Sequence, residues 1–401
     1  MKSVKSLLTA TLALAALTGN LIAGTCTADF ANIKQTIRGF GAATVTSQGT
    51  ITDTHFNVGF GSGGGTVGLT IARIRIPPST NSSDWAGEVS NGAKAKSRGA
   101  IVIASPWSPP ASMKDNNSTI DGYLKTSSYG AYATHLQNFV NYCRNNGCEL
   151  YGISIQNEPD IDVDYESCHW TADQMRVFCR DQMGIFYTTK VMMPESFQFR
   201  KAMSDPTLND AAARANVDII CGHIYGGGIE AYPLATSNGK ELWMTEILNT
   251  DTSLSAVIGT AKQIHDCMNV AGFNCYCWWY LKRDYGPVNE TGARTKRGCV
   301  IAQYARLVRP GSVRVACTAN PSPGVFVTAY KNGSKAVIVA VNTSTSTVRQ
   351  EFKIVGHSVS SLNRWRTSGS EDLATLSAVT VSGGSFTDSL PGQSVTSYFQ
   401  P

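Results

Sequence analysis

From residue 35 to about residue 308 the chain repeats one unit: a short apolar run ends in a polar knot, and a helix-like stretch follows. The runs that read as strands are VGLTIARIRI (67–76), GAIVIASPW (99–107), ELYGISIQ (149–156), VDIICGHIY (217–225), KELWMTE (240–246) and GFNCYCWWY (272–280). Amphipathic stretches such as YGAYATHLQNFVNYCRNNG (129–147) and SAVIGTAKQIHDCMNVAG (255–272) lie between them, the second stopping on a glycine. Strands alternating with helices imply βα units and a parallel sheet. The stretch is about the size of a (β/α)8 barrel, which sets the expected fold class as an α/β TIM barrel.

After RPGSVRV (309–315) the period changes. GVFVTAYKNGSKAVIVAVNTSTSTVRQEFKIVG alternates apolar and polar residues, and its KNGSK (331–335) carries the Asn-Gly pair of a hairpin turn. This is an all-β module, expected to be a sandwich. The extended segment TCTADFANIKQTI can add a strand to it. The expected organisation is a leader at 1–24, an N-terminal strand segment at 25–38, the barrel at 39–308 and the β-sandwich at 309–401.

The leader follows from Lys2 and Lys5 ahead of the apolar run at 7–17, the basic and apolar parts of a secretory signal peptide. That run is too short to span a bilayer comfortably, so the mature chain is expected to be extracellular and free of the membrane. Eleven cysteines fit an oxidising compartment. Cys143 with Cys148 and Cys168 with Cys179 are the plausible pairs, and Cys26 with Cys317 is conceivable if the β-module takes up the N-terminal strand. No cysteine or histidine spacing matches a zinc site, so neither a metal nor a cofactor is expected. A net charge of +5 with no basic run argues against a nucleic-acid partner. N-x-S/T sequons occur at Asn81, Asn116, Asn117, Asn289, Asn332 and Asn342.

In a (β/α)8 barrel the chemistry lies at the C-terminal ends of the strands. Glu158 ends one apolar run in SIQNEPD, and Glu246 ends another in LWMTE. Both are therefore expected in one top-face cleft. Two facing carboxyl groups are the minimum equipment for glycoside hydrolysis: one donates a proton to the leaving oxygen, the other attacks the anomeric carbon or activates water. Sugar rings expose apolar C–H faces, so such a cleft also needs aromatic platforms. Trp107, Tyr225, Trp278 and Trp279 stand at three predicted strand ends.

In this order, QTIRGFGAA, IASPWSPPASMK, SIQNEPD, GHIYGG, ELWMTE and WWYLKRDYGP resemble glycoside hydrolase family 30, most closely its endo-xylanase branch, the glucuronoxylanases. The resemblance runs from about residue 25 to 401. It implies a (β/α)8 barrel with an attached β-sandwich and hydrolysis with retention of configuration. By motif, Glu158 is the acid/base and Glu246 the nucleophile. Asn157 is expected to bond the sugar 2-hydroxyl, Tyr225 to orient the nucleophile and Arg73 to hold it ionised, while Trp107 and Trp279 line sugar subsites. In LKRDYGP, Arg283 and Tyr285 match the residues that bind the carboxylate of a glucuronic acid side group, and a guanidinium suits a carboxylate because it donates two parallel hydrogen bonds.

The expected function is thus a secreted, monomeric endo-β-1,4-xylanase acting on plant cell-wall glucuronoxylan. One departure weighs on the acid requirement: ILNTDTSLSAVIG, after the nucleophile, is compact and holds no aromatic residue. The alternatives are a family relative acting on neutral xylan or β-glucan, and a non-catalytic carbohydrate-binding protein on the same scaffold.

Overall fold

The structure, a computed structural model, describes residues 24–401. The expected leader therefore lies outside the described residues, apart from Gly24. Among the described residues no helix is long and apolar enough to cross a membrane.

Chain order gives β1 (Cys26–Thr36), then eight strands β2 (Gly39–Ala43), β3 (Ile71–Ile76), β4 (Ile101–Pro106), β5 (Gly152–Ser154), β6 (Lys190–Ser196), β7 (Ile219–His223), β8 (Glu241–Glu246) and β9 (Cys275–Tyr280). These eight close into a barrel in sequential order, every neighbour parallel, with β9 returning to β2. The expected barrel is present. Two of its strands were not anticipated, and each has a physical reason. GFGAA in β2 is too small and glycine-rich to register as an apolar run, while β6 is interrupted by Pro194, which ordinarily demotes a strand.

Helices fill the crossovers. Tyr129–Asn145 buries Tyr132, Leu136, Phe139 and Cys143 on one stripe. Leu254–Asp266 runs on through a π turn, Cys267–Ala271, and ends at Gly272 with φ +70°, a left-handed conformation that glycine takes without a Cβ clash.

The barrel interior has two storeys. Near the N-terminal ends Ile71, Ile103, Met192, Ile219, Trp243 and Cys275 form a dry apolar plug. Two residues further along β3, β4 and β8, and four along β7, the inward side chains become polar: Arg73, Ser105, Thr245 and His223 are all buried. With a side-chain period of two, the same face that seals the floor thus carries the chemistry above it.

The module is built from β10 (Val313–Cys317), β11 (Val325–Asn332), β12 (Lys335–Asn342), β13 (Val348–Val355), β14 (Ser361–Thr367), β15 (Ala374–Thr380), β16 (Ser385–Leu390) and β17 (Ser394–Phe399). With β1 they form one nine-stranded sheet, ordered β15-β14-β17-β12-β11-β10-β1-β13-β16. The hairpin at the Asn-Gly pair pairs Asn332 with Lys335, as its turn chemistry requires. The sheet doubles over so that Phe352 and Phe386 pack on Tyr398, with ring centroids 5.1 and 4.9 Å away. The module is bound tightly to the barrel. Gln303, on the last barrel helix (Lys296–Ala305), bonds Thr367 and Ser397, and Arg306 lies 4.6 Å over the Trp365 ring.

The expected disulfides are not formed: all eleven cysteines are free thiols. Cys143 and Cys148 are neighbours, and the Cys26 and Cys317 sulfurs lie 3.6 Å apart in contact. Asn342 is fully buried and its amide donates to the carbonyls of Ser346, Leu390 and Pro391, so that sequon cannot carry a glycan.

Candidate active site

A cleft of about 610 Å³ opens over the C-terminal ends of the barrel strands. Its walls include Trp107, Tyr165, Tyr225, Trp279 and Tyr280, and its floor carries Glu158 and Glu246. The two strand-end carboxylates expected to meet do so. One oxygen of each, with a ring nitrogen of His223, form a triangle no more than 4.8 Å on a side.

Glu158 follows β5 with a backbone φ of +45°, a strained value for a residue with a Cβ, and its N–H donates to the Glu195 carbonyl at 3.0 Å. Glu195 itself has φ +58°. The two strained residues clasp each other beside the site, where surrounding contacts over-determine them.

Arg73 is buried and reaches both catalytic candidates' neighbourhoods. Its Nη1 donates to Glu246 Oε2 at 2.5 Å, and its Nη2 donates to Asn157 Oδ1 at 2.7 Å. Because the arginine claims its oxygen, the Asn157 amide nitrogen is left to face other acceptors. Tyr225 donates its hydroxyl to Glu246 Oε1 at 2.9 Å. Arg73 thus links Glu246 to Asn157, and Tyr225 takes the other Glu246 oxygen.

Three partners were not foreseen. His223 Nδ1 meets Glu158 Oε1 at 2.8 Å, and its Nε2 lies 3.2 Å from Glu195 Oε2 and 3.8 Å from Glu246 Oε2. Tyr165 donates to Glu158 Oε2 at 3.0 Å. Glu195, wholly buried, is the hub: Ser105 and Ser154 donate to Oε1 at 2.8 and 2.6 Å, Thr245 donates to Oε2, and Arg73 Nη2 stands 3.8 Å away. One carboxylate thereby touches side chains from β3, β4, β5, β7 and β8. The signal that found Glu158 and Glu246, a carboxylate closing an apolar run, was present in KVMMPES too, but Pro194 broke the run. His223 sat in a quoted motif, at the end of β7. Tyr165 lies in an irregular loop with no pattern to mark it.

The electrostatics follow from burial. Burial opposes a charged His223, but Glu246, Glu158 and Glu195 together lift it to about 10, so the ring is a cation at neutral pH and donates from both nitrogens. Burial likewise opposes ionised Glu195, and Arg73 with His223 overcome it, holding that carboxyl far below the usual range. Burial pushes Glu246 up against the pull of His223 and Arg73, while on Glu158 the same penalty is outweighed by the His223 and Tyr165 hydrogen bonds. The pair titrates as one system. Two cations, Arg73 and His223, face three carboxyls, so a single proton shared by Glu158 and Glu246 makes the buried cluster neutral. By these directions the shared proton rests on Glu246, whereas proton donation by Glu158 needs it on Glu158, so the two carboxyls must exchange it before reaction.

The aromatic wall is a continuous stack. Trp107 and Trp279 have ring centroids 5.7 Å apart, Trp279 and Tyr280 are 4.6 Å apart, and the Arg73 guanidinium lies 5.0 Å from the Trp107 ring. Trp278, by contrast, is not a platform. It is buried beneath the Arg297 guanidinium, 4.7 Å away, because the β9 pleat turns alternate side chains outward into the helix layer.

Arg283 and Tyr285 are not part of the cleft wall. The Arg283 guanidinium stacks 4.6 Å over Tyr280, one side chain behind the wall, and its Nη1 donates to the Gln48 carbonyl at 2.9 Å. Tyr285 packs partly buried nearby, its hydroxyl pushed up by burial against the opposing effect of Arg283. Lys282 is structural: its ammonium donates to the Thr50 carbonyl at 3.0 Å.

No protein-family model matches the chain. It is 40% identical over 393 residues to the glucuronoxylanase XynC of Bacillus subtilis strain 168, covering 94% of this chain and 92% of the relative. It superposes on the family 30 subfamily 8 xylanase Xyn30A of Clostridium acetobutylicum with a TM-score of 0.90 at 41% identity, over 94% of this chain and 99% of that one. A family 30 endoxylanase of Clostridium papyrosolvens C71 matches with a TM-score of 0.87 at 40% identity, with the same coverage of both chains. Barrel, β-module, facing carboxylates and near full-length identity agree: the chain belongs to glycoside hydrolase family 30, on its endo-xylanase branch.

Proposed function

We propose that the chain is a secreted endo-β-1,4-xylanase that cuts glucuronic-acid-substituted xylan with retention of configuration. The observation that carries the reading is the pair Glu158 and Glu246, facing each other within 4.8 Å in an aromatic-walled cleft. Retaining enzymes hold their carboxyl groups at roughly 5–5.5 Å and inverting ones at roughly 6.5–9.5 Å, leaving room for water. Nearest oxygens within 4.8 Å support the closer of these two arrangements, and with it direct attack by Glu246.

In the first half-reaction Glu246 attacks the anomeric carbon while protonated Glu158 gives its proton to the departing glycosidic oxygen. Arg73 and Tyr225 hold the attacking carboxylate in line. Negative charge leaves Glu246 as the glycosyl bond forms and appears on Glu158 as the proton departs. The imidazolium of His223, within 4 Å of both, is placed to accommodate that transfer. In the second half-reaction Glu158 takes a proton from water, which displaces Glu246. The Asn157 amide, its oxygen held by Arg73, supplies a donor for the sugar 2-hydroxyl.

For the side group, Arg283 is the ligand we assign, with Tyr285 beside it. In support, its hydrogen bonds within the described residues all come from Nη1, which leaves the Nε/Nη2 edge, the two-donor face that fits a carboxylate. A second reading, neutral xylan, is favoured by the position of Arg283 behind Tyr280 rather than in the wall. The cysteine content suits secretion, and we assign Cys26 and Cys317 as a pair that closes on oxidation.

The deciding experiment digests glucuronoxylan beside unsubstituted linear xylan and reads the products by mass spectrometry. Cleavage restricted to glucuronoxylan, with one uronic acid per product, supports the side-group reading. Equal cleavage of both leaves a neutral-xylan enzyme. Cleavage of neither overturns the xylanase assignment.

A further inference from the structure

The loop that carries Arg283 is electrically balanced against itself. Glu290 places Oε1 3.3 Å from Arg283 Nη1 and Oε2 3.2 Å from Lys282 Nζ, so one carboxylate answers two cations. Asp284 is the second acid: its Oδ1 accepts the Glu290 N–H at 3.4 Å. Lys282, Arg283, Asp284 and Glu290 sum to zero formal charge.

Glu290 is not there by the chance swing of a surface side chain. Its loop is tied by Asn289, whose Oδ1 accepts from Thr291 N, Thr291 Oγ1 and Ala293 N at 3.1, 2.9 and 2.8 Å. Its carbonyl meets His55 Nε2 at 3.2 Å. Its carboxylate is still 46% exposed, so it can move when a stronger partner arrives. Arg283 in turn is 26% exposed, has Tyr285 as a side-chain neighbour, and has no carboxylate on its Nε/Nη2 edge among the described residues.

On the reading of Arg283 as the side-group ligand, we propose that Glu290 is a specificity-determining residue: a built-in carboxylate that competes with the substrate's carboxylate for the Arg283 cation. An anionic side group approaching the free edge meets a locally neutral loop, and its attraction is muted. The acid requirement of this chain is thereby softened, so that unsubstituted stretches of xylan compete as substrates. Glutamine at this position keeps one acceptor oxygen, for Arg283 or for Lys282 but not for both, and removes the opposing charge.

The test compares Glu290→Gln with the parent enzyme on glucuronoxylan and linear xylan, with Arg283→Ala in parallel. The ratio of kcat/KM on glucuronoxylan to that on linear xylan is expected to rise roughly fivefold in Glu290→Gln, the size of removing one like charge across a partly screened gap. The rise should shrink as salt increases from low to physiological and higher, because the gain is between partly exposed charges. If Arg283→Ala lowers the ratio while Glu290→Gln leaves it unchanged or lowers it, Glu290 does not compete: the proposal falls and the Arg283 reading stands. If Arg283→Ala leaves the ratio unchanged, the side-group reading itself fails, and Glu290 with it.

Discussion

The floor of the cleft and the loop behind its wall are both built on ion pairs, yet they differ in kind. On the floor Arg73, Glu195 and His223 are wholly buried, and each is gripped by groups from several strands. In the loop Arg283 and Glu290 are partly exposed and held by residues of two short segments. A buried charge that loses its partner is stranded in a low-dielectric interior, while an exposed one is rescued by water. The floor is therefore fixed in geometry and intolerant of change, as bond making requires. The loop, partly exposed, should tolerate single substitutions with little cost to the fold.

The largest effects should come from the floor. Glu246→Gln keeps the side chain's shape but removes the attacking oxygen, and turnover on xylan should fall about 10⁴-fold or more. Glu158→Gln removes the proton donor and should cost about 10²- to 10⁴-fold. Both should fold, as circular dichroism would check. Substantial turnover by either variant would break the assignment of that residue.

Glu195→Gln tests whether the floor is over-determined in energy as well as geometry. Breaking one partner of a buried ion network costs roughly 3–5 kcal/mol, to be read as a shift in denaturant midpoint. Its pH dependence has a definite sign. Glu195 is held far below its ordinary range in the fold, so its contribution is present above that range and is lost as pH falls. His223 is raised to about 10, so its contribution is complete below the ordinary histidine range and is lost as pH climbs through about 10. The parent should thus be most stable between those limits, and the variant should lose most of the acid-side slope. An unchanged slope would mean that Glu195 is not the group being protonated.

How far the sequence could be read follows the same division. Strand ends are legible because an apolar run must stop where the barrel meets water, and a carboxylate at such a stop is conspicuous. That found Glu158 and Glu246, and would have found Glu195 had Pro194 not interrupted β6. Arg73 was harder: an arginine inside the apolar IARIRI run is buried only because three carboxylates surround it, and those come from other strands. The pairing of Arg283 with Glu290 was not legible at all. Six residues of irregular loop separate them, and no period relates their side chains. Burial leaves a pattern in the chain; a contact between loop side chains does not.

In the loop, Arg283→Ala should lower kcat/KM on glucuronoxylan about 10- to 100-fold relative to linear xylan, the usual range for a charge-assisted hydrogen bond pair. Its stability should change little, in contrast to Glu195→Gln. A comparable loss on both substrates would make Arg283 a scaffold for Tyr280 and erase the contrast between floor and loop.

The smallest effect sharpens the boundary between the two regions. Tyr165 sits on the cleft wall, 45% exposed, yet donates to Glu158 on the floor. Its hydrogen bond favours ionised Glu158, so Tyr165→Phe should raise the carboxyl's pKa and move the alkaline limb of the pH–rate profile upward. A net hydrogen bond of about 1 kcal/mol corresponds to roughly 0.7 of a pH unit. At the pH optimum turnover should change only a few-fold, because His223 still holds the other oxygen of Glu158. A shift of the alkaline limb downward would mean that Tyr165 stabilises the protonated acid instead. A loss as large as that of Glu158→Gln would place Tyr165 among the groups that act in the reaction, and would move the edge of the rigid floor out into the exposed wall.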